Sequence, residues 1–157
     1  MEQTGTVIAV SISDRTGVPK DPIPEGTLKV DWGIVGDAHA GDWHRQVSLL
    51  AMESIEKMQA KGLDVHPGSF AENITTRGLV LYELPIGTRL RLGTALAEVT
   101  QIGKICHSRC AIYRLAGDCV MPREGIFVRI LEPGTVSAGS PIVVLGQGSE
   151  PEETPAE

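Results

Sequence analysis

Residues 6–13, TVIAVSIS, place Ile8, Val10 and Ile12 at every second position among smaller or polar residues. This alternation is the period of a strand with one buried face. Similar stretches follow along the chain, and they read TLKVDWGIVGD, QVSLLA, SFAENITT, TRLRLG, LAEVTQI, GIFVRIL and PIVVLG. Runs rich in Gly, Pro and Asp separate them, such as GVPKDPIPEG, ELPIGT and EPGT. Short strands that recur without regularly alternating helices predict a mainly β fold, namely a closed or nearly closed β-barrel with one or two helices.

The chain has 157 residues, enough for one domain, which we assign to residues 1–146. Residues 147–157 are rich in Glu, Pro, Gly and Ser and predict a disordered acidic tail. A helix is predicted within SLLAMESIEKMQAKGL, residues 48–63, because its apolar residues recur near the helical period and Gly62 provides a stop. A second, shorter helix is expected at residues 107–115.

Charge and cysteine usage narrow the classes of partner and compartment. The net charge is −6, but four of the 20 acidic residues lie in the last twelve residues, so the rest of the chain is nearly neutral. Nucleic acid and anionic membranes require a broad basic face, which such a chain lacks. The opening residues MEQTGTVIAVSISDR do not resemble a signal peptide, and no apolar run is as long as a membrane span. Three cysteines, an odd number, indicate reduced thiols, so we expect a cytoplasmic protein without nucleic-acid or membrane partners.

The stretch QIGKICHSRC, residues 101–110, contains two of the three cysteines, Cys106 and Cys110, and no acidic residue. Its basic residues are Lys104, His107 and Arg109. Nearby cations favour the thiolate form of a cysteine, so either thiol is a candidate nucleophile at neutral pH. The same cations would attract an anion such as phosphate, molybdate or a persulfide sulfur.

Three other interpretations of these cysteines remain open. Cys106, Cys110, Cys119 and His107 have the composition of a Cys₃His zinc site, although structural zinc usually uses a two-residue gap that is missing here. Alternatively, at least one of Cys110 and Cys119 is a small buried hydrophobic residue. A hydrolase that pairs Cys106 with His107 is disfavoured, because adjacent side chains point apart and no orienting acid is evident.

A second polar cluster lies in GIVGDAHAGDWHRQVSLL, residues 33–50, where three glycines allow tight turns or close approach to a ligand. Its polar residues are Asp37, His39, Asp42, His44 and Arg45. Such a loop could hold a metal or an oxyanion, or its aspartates could cap their own backbone while its histidines are solvated. In PGSFAENITTRGL, the side chains of Glu72 and Asn73 could orient a neighbouring group.

Taken in order, GIVGDAHAG, FAENIT, LPIGTRLRLG, AEVTQIGKICHSRC, GIFVRIL and GSPIVVL resemble the MOSC domain, most closely its short stand-alone bacterial branch. The likeness spans about residues 5–145 and implies a β-rich, barrel-like fold. It also implies that the cysteine after AEVTQI, Cys106, carries sulfur as a persulfide or ligates molybdenum in the pterin cofactor. The family's Gly–Asp–x–His–x–Gly loop falls on residues 36–41, and its Glu–Asn pair falls on Glu72 and Asn73.

The resemblance implies a sulfur-carrier or cofactor-handling protein for molybdenum or tungsten pterin enzymes, with Cys106 as the reactive residue. A sulfur-transferase activity is one form of this role. The residues expected to bind the cofactor or its oxyanion are Lys104, His107, Arg109, Asp37, His39, Arg45 and Asn73. Cys106 is the first candidate for a molybdenum ligand, followed by Cys110, Cys119 and His44.

The alternative function is a non-catalytic module that binds molybdate, tungstate or the molybdenum cofactor and delivers it to a partner enzyme. Under either hypothesis the expected partner is a molybdenum or tungsten enzyme or a cofactor-synthesis protein. A cysteine desulfurase is expected as the sulfur donor. Pyridoxal phosphate is not expected, because the desulfurase domain fused to larger members has no counterpart in this sequence.

Overall fold

The computed structural model describes residues 3–15, 18–103 and 124–147. Within these ranges the chain forms eleven strands, one α-helix and one short 3-10 helix. The strands are, in chain order, β1 (Thr4–Ile12), β2 (Asp21–Ile23), β3 (Glu25–Lys29), β4 (Gly33–Ile34), β5 (Val47–Ala51), β6 (Ile74–Arg77), β7 (Thr88–Leu92), β8 (Ala95–Ile102), β9 (Ile126–Glu132), β10 (Gly134–Ser137) and β11 (Pro141–Gln147). The α-helix is α1 (Met52–Ala60), and the 3-10 helix is Leu81–Glu83.

Seven strands close into a barrel in the order β11, β7, β8, β9, β5, β6 and β1, because β1 also pairs with β11. Neighbours in this ring are antiparallel except for β5 and β6, which run parallel and are connected through α1. A parallel pair requires such a crossover connection. β2 extends the sheet beyond β1, and β10, β3 and β4 form a separate sheet of three strands. The mainly β, closed barrel predicted from the sequence is therefore confirmed.

The barrel interior is filled by side chains that alternate along the strands. In β7 the residues Leu90 and Leu92 are fully buried, while Arg89 and Arg91 between them are only half-buried. This is the period-two pattern that the sequence TRLRLG predicts. Burial of each such side chain contributes about 1.5–3 kcal/mol to the free energy of unfolding. The barrel is thus a packed core, and ligand chemistry has to be placed at its outer surface or its ends.

In β1 the alternation differs from the prediction. Val7 and Val10 are the fully buried apolar residues, whereas Ile8 and Ile12 are only half-buried. The pairing of β1 with β6 shifts register between Val7 and Ala9. A β-bulge of this kind adds one residue and reverses the faces of the residues beyond it. The prediction of the strand was right, and Val10 and Ile12 both pack in the core cluster as expected, but Ile8 does not share their face.

The helix α1 lies within the predicted stretch, and the residues that precede it there form a strand. Ser48, Leu49, Leu50 and Ala51 belong to β5, where every residue is buried because the strand packs on both faces. Leu50 joins a second apolar cluster that lies beneath α1, together with Ile55, Met58, Val65, Phe70 and Phe127. A strand buried on both faces has a continuous apolar sequence, which extends the helical pattern of α1 backwards. At its other end α1 stops at Ala60, and Gly62 adopts φ +91° as expected for a C-terminal stop.

Three further sequence assignments need correction. β2 lies in GVPKDPIPEG and β10 begins in EPGT, although the Pro and Gly content of both stretches predicts turns. In SFAENITT only the part from Ile74 onward is a strand. Ala71 adopts φ +63°, a conformation incompatible with a continuous strand, and the residues before Ile74 form a loop. The expected helix at residues 107–115 and most of the expected tail lie outside the described residues.

Among the described residues, no helix combines the length and the apolar character that would allow it to cross a lipid bilayer.

Candidate functional site

The candidate site is built on the loop between β4 and β5, residues 35–46, which contains most of the second polar cluster. Asp37 is the residue that holds this loop in place. Its Oδ1 accepts hydrogen bonds from the Ser13 backbone N–H at 3.2 Å and from Lys20 Nζ at 2.7 Å. Its Oδ2 accepts the His39 backbone N–H at 3.1 Å. Asp37 therefore joins the end of β1, the start of β2 and its own loop.

The Lys20–Asp37 ion pair is fully buried, with neither side chain exposed to solvent. Removing two charges from water is costly, and a buried pair is tolerated only when its geometry is good and its other hydrogen-bonding groups are satisfied. Here Lys20 Nζ also lies 3.3 Å from Ser13 Oγ and 3.3 Å from His39 Nδ1. Sequence reasoning missed Lys20, because nothing in the turn-rich stretch GVPKDPIPEG indicates that its lysine is buried.

Aromatic and cationic side chains of the loop pack on one another. The Trp43 indole N–H donates to the His39 carbonyl oxygen at 2.9 Å, and the two rings are nearly parallel with centroids 6.5 Å apart. The guanidinium carbon of Arg45 lies 4.6 Å from the Trp43 ring centroid and 5.5 Å from that of Phe127. Cation–π contacts of this kind fix the direction of the arginine without neutralising its charge.

These residues enclose an open cleft of about 520 Å³, lined by residues 38–43 and Arg45. Arg45 Nε is buried and has no hydrogen-bond partner in the part of the chain that the structure describes. Buried N–H groups are rarely left without an acceptor, and a charged one even less often. Arg45 Nε is therefore a buried donor of this loop whose hydrogen-bonding capacity is unused among the described residues.

The His44 ring meets the Trp43 ring edge-on, with centroids 5.9 Å apart, and it also reaches the end of β8. Its Nε2 donates to Gln101 Oε1 at 2.8 Å, and its carbonyl oxygen accepts the Thr100 hydroxyl. Gln101 in turn donates to the Gly103 carbonyl oxygen at 2.8 Å. His44 thus connects the loop to the point where β8 ends, just before the segment that contains Cys106.

Glu72 and Asn73 support the loops from inside the protein. The Glu72 carboxylate accepts the backbone N–H groups of Gly68 at 2.8 Å and Phe70 at 3.2 Å and the Thr75 hydroxyl at 2.8 Å. Burial raises the pKa of Glu72 above its ordinary value, although these three hydrogen bonds act in the opposite direction.

Asn73 Oδ1 accepts the Ser48 backbone N–H at 3.0 Å, and its Nδ2 donates to the Ser11 carbonyl oxygen at 3.1 Å. Asn73 is fully buried, so its side chain links β1 to β5. The geometry gives Asn73 a positioning role, whereas its predicted contact with a cofactor stays a prediction.

Of the sequence-predicted site residues, Asp37, His39, His44 and Arg45 lie on one loop, and Asn73 is buried beside β5. The other candidates lie outside the described residues: Lys104, Cys106, His107, Arg109, Cys110 and Cys119. Their expected roles, including the zinc alternative, stay predictions. Within residues 3–15, 18–103 and 124–147, no three His, Cys, Asp or Glu side chains converge on a metal-sized space.

The structure is a closed β-barrel with a cleft formed by the loop between β4 and β5, and this fold agrees with the family comparison. The chain belongs to the MOSC domain family, whose model matches residues 36–143. The resemblance noted in the sequence is thereby confirmed. The family is associated with the molybdenum cofactor, which gives this chain a role related to that cofactor in general terms.

Solved structures show the same fold. The YuaD protein of Bacillus subtilis superposes with a TM-score of 0.77 at 18% identity, over 94% of this chain and 99% of that one. YiiM of Geobacillus stearothermophilus gives a TM-score of 0.67 at 19% identity, over 90% of this chain and 75% of that one. YiiM of Escherichia coli gives 0.64 at 22% identity, over 95% and 72% of the two chains. A search of curated proteins finds no significant match.

The buried ion pair predicts the effect of a substitution at Asp37. In Asp37→Asn, Lys20 keeps a buried charge without a carboxylate, and the free energy of unfolding should fall by about 3–5 kcal/mol. Urea denaturation measures this loss. The control Glu132→Gln removes the partner of Arg91 in an exposed pair with an N–O distance of 3.3 Å, and it should cost less than about 1 kcal/mol. Equal, small losses for both variants would contradict the structural role of the pair.

Proposed function

We propose that this protein handles the molybdenum or tungsten pterin cofactor, or its oxyanion, and that Cys106 carries sulfur to it as a persulfide. The observation that supports binding is the cleft beside Arg45, whose buried Nε lacks an acceptor among the described residues. The pterin cofactor and its oxyanions are anionic, so they match a cleft whose permanent cation is held by aromatic rings. When bound, the cofactor would supply a redox-active metal centre.

The fit of an anion to these residues follows from their hydrogen-bonding groups. Arg45 offers N–H donors in a planar arrangement suited to oxygen anions, and His39 adds a ring that lines the same cleft. Among the described residues Arg45 forms no ion pair, so its charge is available to a ligand. Asp42 also lines the cleft and is expected to limit how many anionic groups the site accepts.

The proposed sulfur site, Cys106, follows a strand end that is hydrogen-bonded to the loop of the cleft. Gly103, whose N–H donates to the Gly125 carbonyl oxygen at 2.6 Å, is the last described residue before the cysteine segment. Cys106 follows three residues later, and three residues of extended chain reach at most about 11 Å. Gly103 is linked to His44 through Gln101, so this short reach is compatible with a thiol beside the cleft.

The proposed sulfur transfer conserves atoms and electrons. The Cys106 thiolate attacks the outer sulfur of a cysteine persulfide on the desulfurase, and the sulfur–sulfur bond of the donor breaks. The donor cysteine leaves as a thiolate, while Cys106 keeps the outer sulfur and its proton. The basic residues near Cys106 in the sequence would favour both the attacking thiolate and the persulfide anion.

The sulfur-carrier proposal predicts a covalent adduct. After incubation with a cysteine desulfurase and cysteine, the intact mass of the wild type should increase by one sulfur atom, and a thiol reductant should remove it. Cys106→Ser should gain no sulfur, because the accepting thiolate is missing. Cys110→Ser and Cys119→Ser are the matched controls and should keep the adduct. Sulfur loading that persists in Cys106→Ser would overturn the carrier proposal.

A second function, a module that binds the cofactor or its oxyanion and delivers it without sulfur transfer, is favoured by the position of Arg45. The cleft is formed by the loop between β4 and β5 and does not need a thiol to attract an anion. Under both functions the proposed partner is a molybdenum or tungsten enzyme or a cofactor-synthesis protein. The reduced thiols inferred from the cysteine count place this exchange, in our proposal, in the cytoplasm.

Binding of tungstate, measured by isothermal titration calorimetry, tests the cleft itself. Arg45→Met keeps an apolar stem against Trp43 and Phe127 but removes the charge and the N–H donors. Loss of one charged hydrogen-bonding group should weaken binding by about tenfold or more. Arg91→Met, which removes an exposed arginine on β7, should bind as the wild type does. Equal affinities for Arg45→Met and Arg91→Met would contradict binding at the cleft. If Cys106→Ser binds normally but gains no sulfur, binding and transfer use separate groups.

A further inference from the structure

The ammonium group of Lys20 has three protons, and the structure provides three acceptors for them. Asp37 Oδ1 lies at 2.7 Å, Ser13 Oγ at 3.3 Å and His39 Nδ1 at 3.3 Å. The Ser13 hydroxyl donates its own proton to the Arg15 carbonyl oxygen at 2.6 Å, so it can only accept from Lys20. An ammonium group has no acceptor capacity, so the contact with His39 must also be a donation from Lys20.

This donation determines the protonation of the His39 ring. A ring nitrogen that accepts a hydrogen bond carries no proton, so Nδ1 is bare and Nε2 bears the hydrogen of a neutral imidazole. A second proton on the ring would have to lie at Nδ1, directly against the ammonium group. The geometry therefore disfavours the imidazolium form, because its second proton would face the ammonium group that Lys20 contributes to the ion pair with Asp37.

The protein backbone holds Lys20 in this position from the other side. The Lys20 N–H donates to the Gly68 carbonyl oxygen at 2.8 Å. Gly68 has φ +92°, and a Cβ atom there would lie 2.2 Å from the Lys20 carbonyl oxygen, so only glycine fits. The Gly68 N–H is bound by the Glu72 carboxylate, which fixes the loop that presses against Lys20.

We propose that Lys20 is a positioning residue that holds His39 as the neutral Nε2–H tautomer, so that the ring lines the cleft without adding positive charge to it. The part that concerns the ligand rests on the proposed function. Among the described residues, the charged side chains that line the cleft are Arg45 and Asp42, and a neutral His39 leaves their balance of charge unchanged. A neutral imidazole is also a very weak acid, so an anionic group bound beside it keeps its negative charge instead of receiving a proton.

The chemical consequence is that the cleft prefers ligands that are already deprotonated. Oxyanions and thiolate-type sulfur accept hydrogen bonds from Arg45, and a neutral His39 in the same cleft exchanges no proton with them. An imidazolium at the same place would protonate a basic sulfur or oxygen and weaken its interaction with the arginine. Lys20 would therefore determine which protonation state of the ligand is bound.

Nitrogen NMR of the protein without ligand tests this directly. Long-range ¹H–¹⁵N spectra distinguish a bare ring nitrogen from a protonated one, and His39→Gln assigns the signals among the four histidines of the chain. At neutral pH we expect a bare Nδ1 and a protonated Nε2 for His39 in the wild type. A protonated Nδ1, or protons on both nitrogens, would overturn the proposal.

Substitution of Lys20 then tests whether this residue determines the tautomer of His39. In Lys20→Met the ring loses its donor, and the unpaired Asp37 carboxylate lies near Nδ1, so the Nδ1-protonated or doubly protonated form should appear. Lys20→Arg, which keeps the charge and the N–H donors, should restore the wild-type pattern, and Lys29→Met, an exposed lysine on β3, should not change it. If Lys20→Met keeps the wild-type tautomer in a folded protein, the assigned role of Lys20 is wrong. If Lys20→Met does not fold, the wild-type and Lys20→Arg spectra still decide the tautomer and the need for a donor.

A tungstate titration separates this inference from the proposed function. If tungstate binds, His39 should keep its bare Nδ1 and its protonated Nε2. Protonation of His39 on binding would overturn the inference even though the binding function holds. Absence of tungstate binding would count against the proposed function, whereas the tautomer in the free protein would still test Lys20.

Discussion

The buried ion pair between Lys20 and Asp37 is the interaction on which the rest of the site depends. Two charges removed from water destabilise a fold unless every remaining donor and acceptor finds a partner. Here the ammonium group meets three acceptors, and the carboxylate meets two backbone N–H groups besides the lysine. The partners come from three segments that lie far apart in the sequence. Asp37 therefore fixes where the loop between β4 and β5 leaves the barrel, and the cleft follows from that position.

The cleft uses the barrel wall as its support. Arg45 lies on Phe127 of β9, a residue that also belongs to the apolar cluster beneath α1. Trp43 covers the other part of the guanidinium and binds the His39 carbonyl oxygen through its indole N–H. A rigid strand and two packed rings thus aim a flexible arginine, so less conformational entropy is lost when a ligand binds. Inside the protein, Glu72 and Asn73 accept hydrogen bonds from backbone N–H groups and so fix the loops.

The sequence predicted the barrel well wherever one face of a strand is buried and the other faces solvent. β7 shows this pattern, since its leucines and arginines alternate and each face meets a different environment. The prediction was wrong where tertiary structure changes the local rule. A bulge in β1 places Ile8 on a different face from the one predicted. β5 is buried on both sides, so its continuous apolar sequence resembles the start of a helix. The local sequence gives no indication of the bulge in β1 or of the two-sided burial of β5.

The site shows the same division between local and long-range information. Asp37, His39 and Arg45 were found because polar residues crowd a glycine-rich loop, which is visible in a short window of sequence. Lys20 was missed because its importance arises only when the fold brings it to Asp37, seventeen positions away in the chain. The chemistry assigned to Cys106 rests on its charged neighbours in the sequence and on the family resemblance.

Native-state hydrogen exchange of the Ser13 and His39 backbone amides tests the central claim most directly, because both amides donate to the buried carboxylate of Asp37. The account predicts that both exchange slowly, at rates similar to that of the Ser48 amide, which donates to buried Asn73 in the barrel wall. Exchange of Ser13 and His39 as fast as in an unstructured peptide, while Ser48 stays protected, would show that the ion pair does not organise the loop.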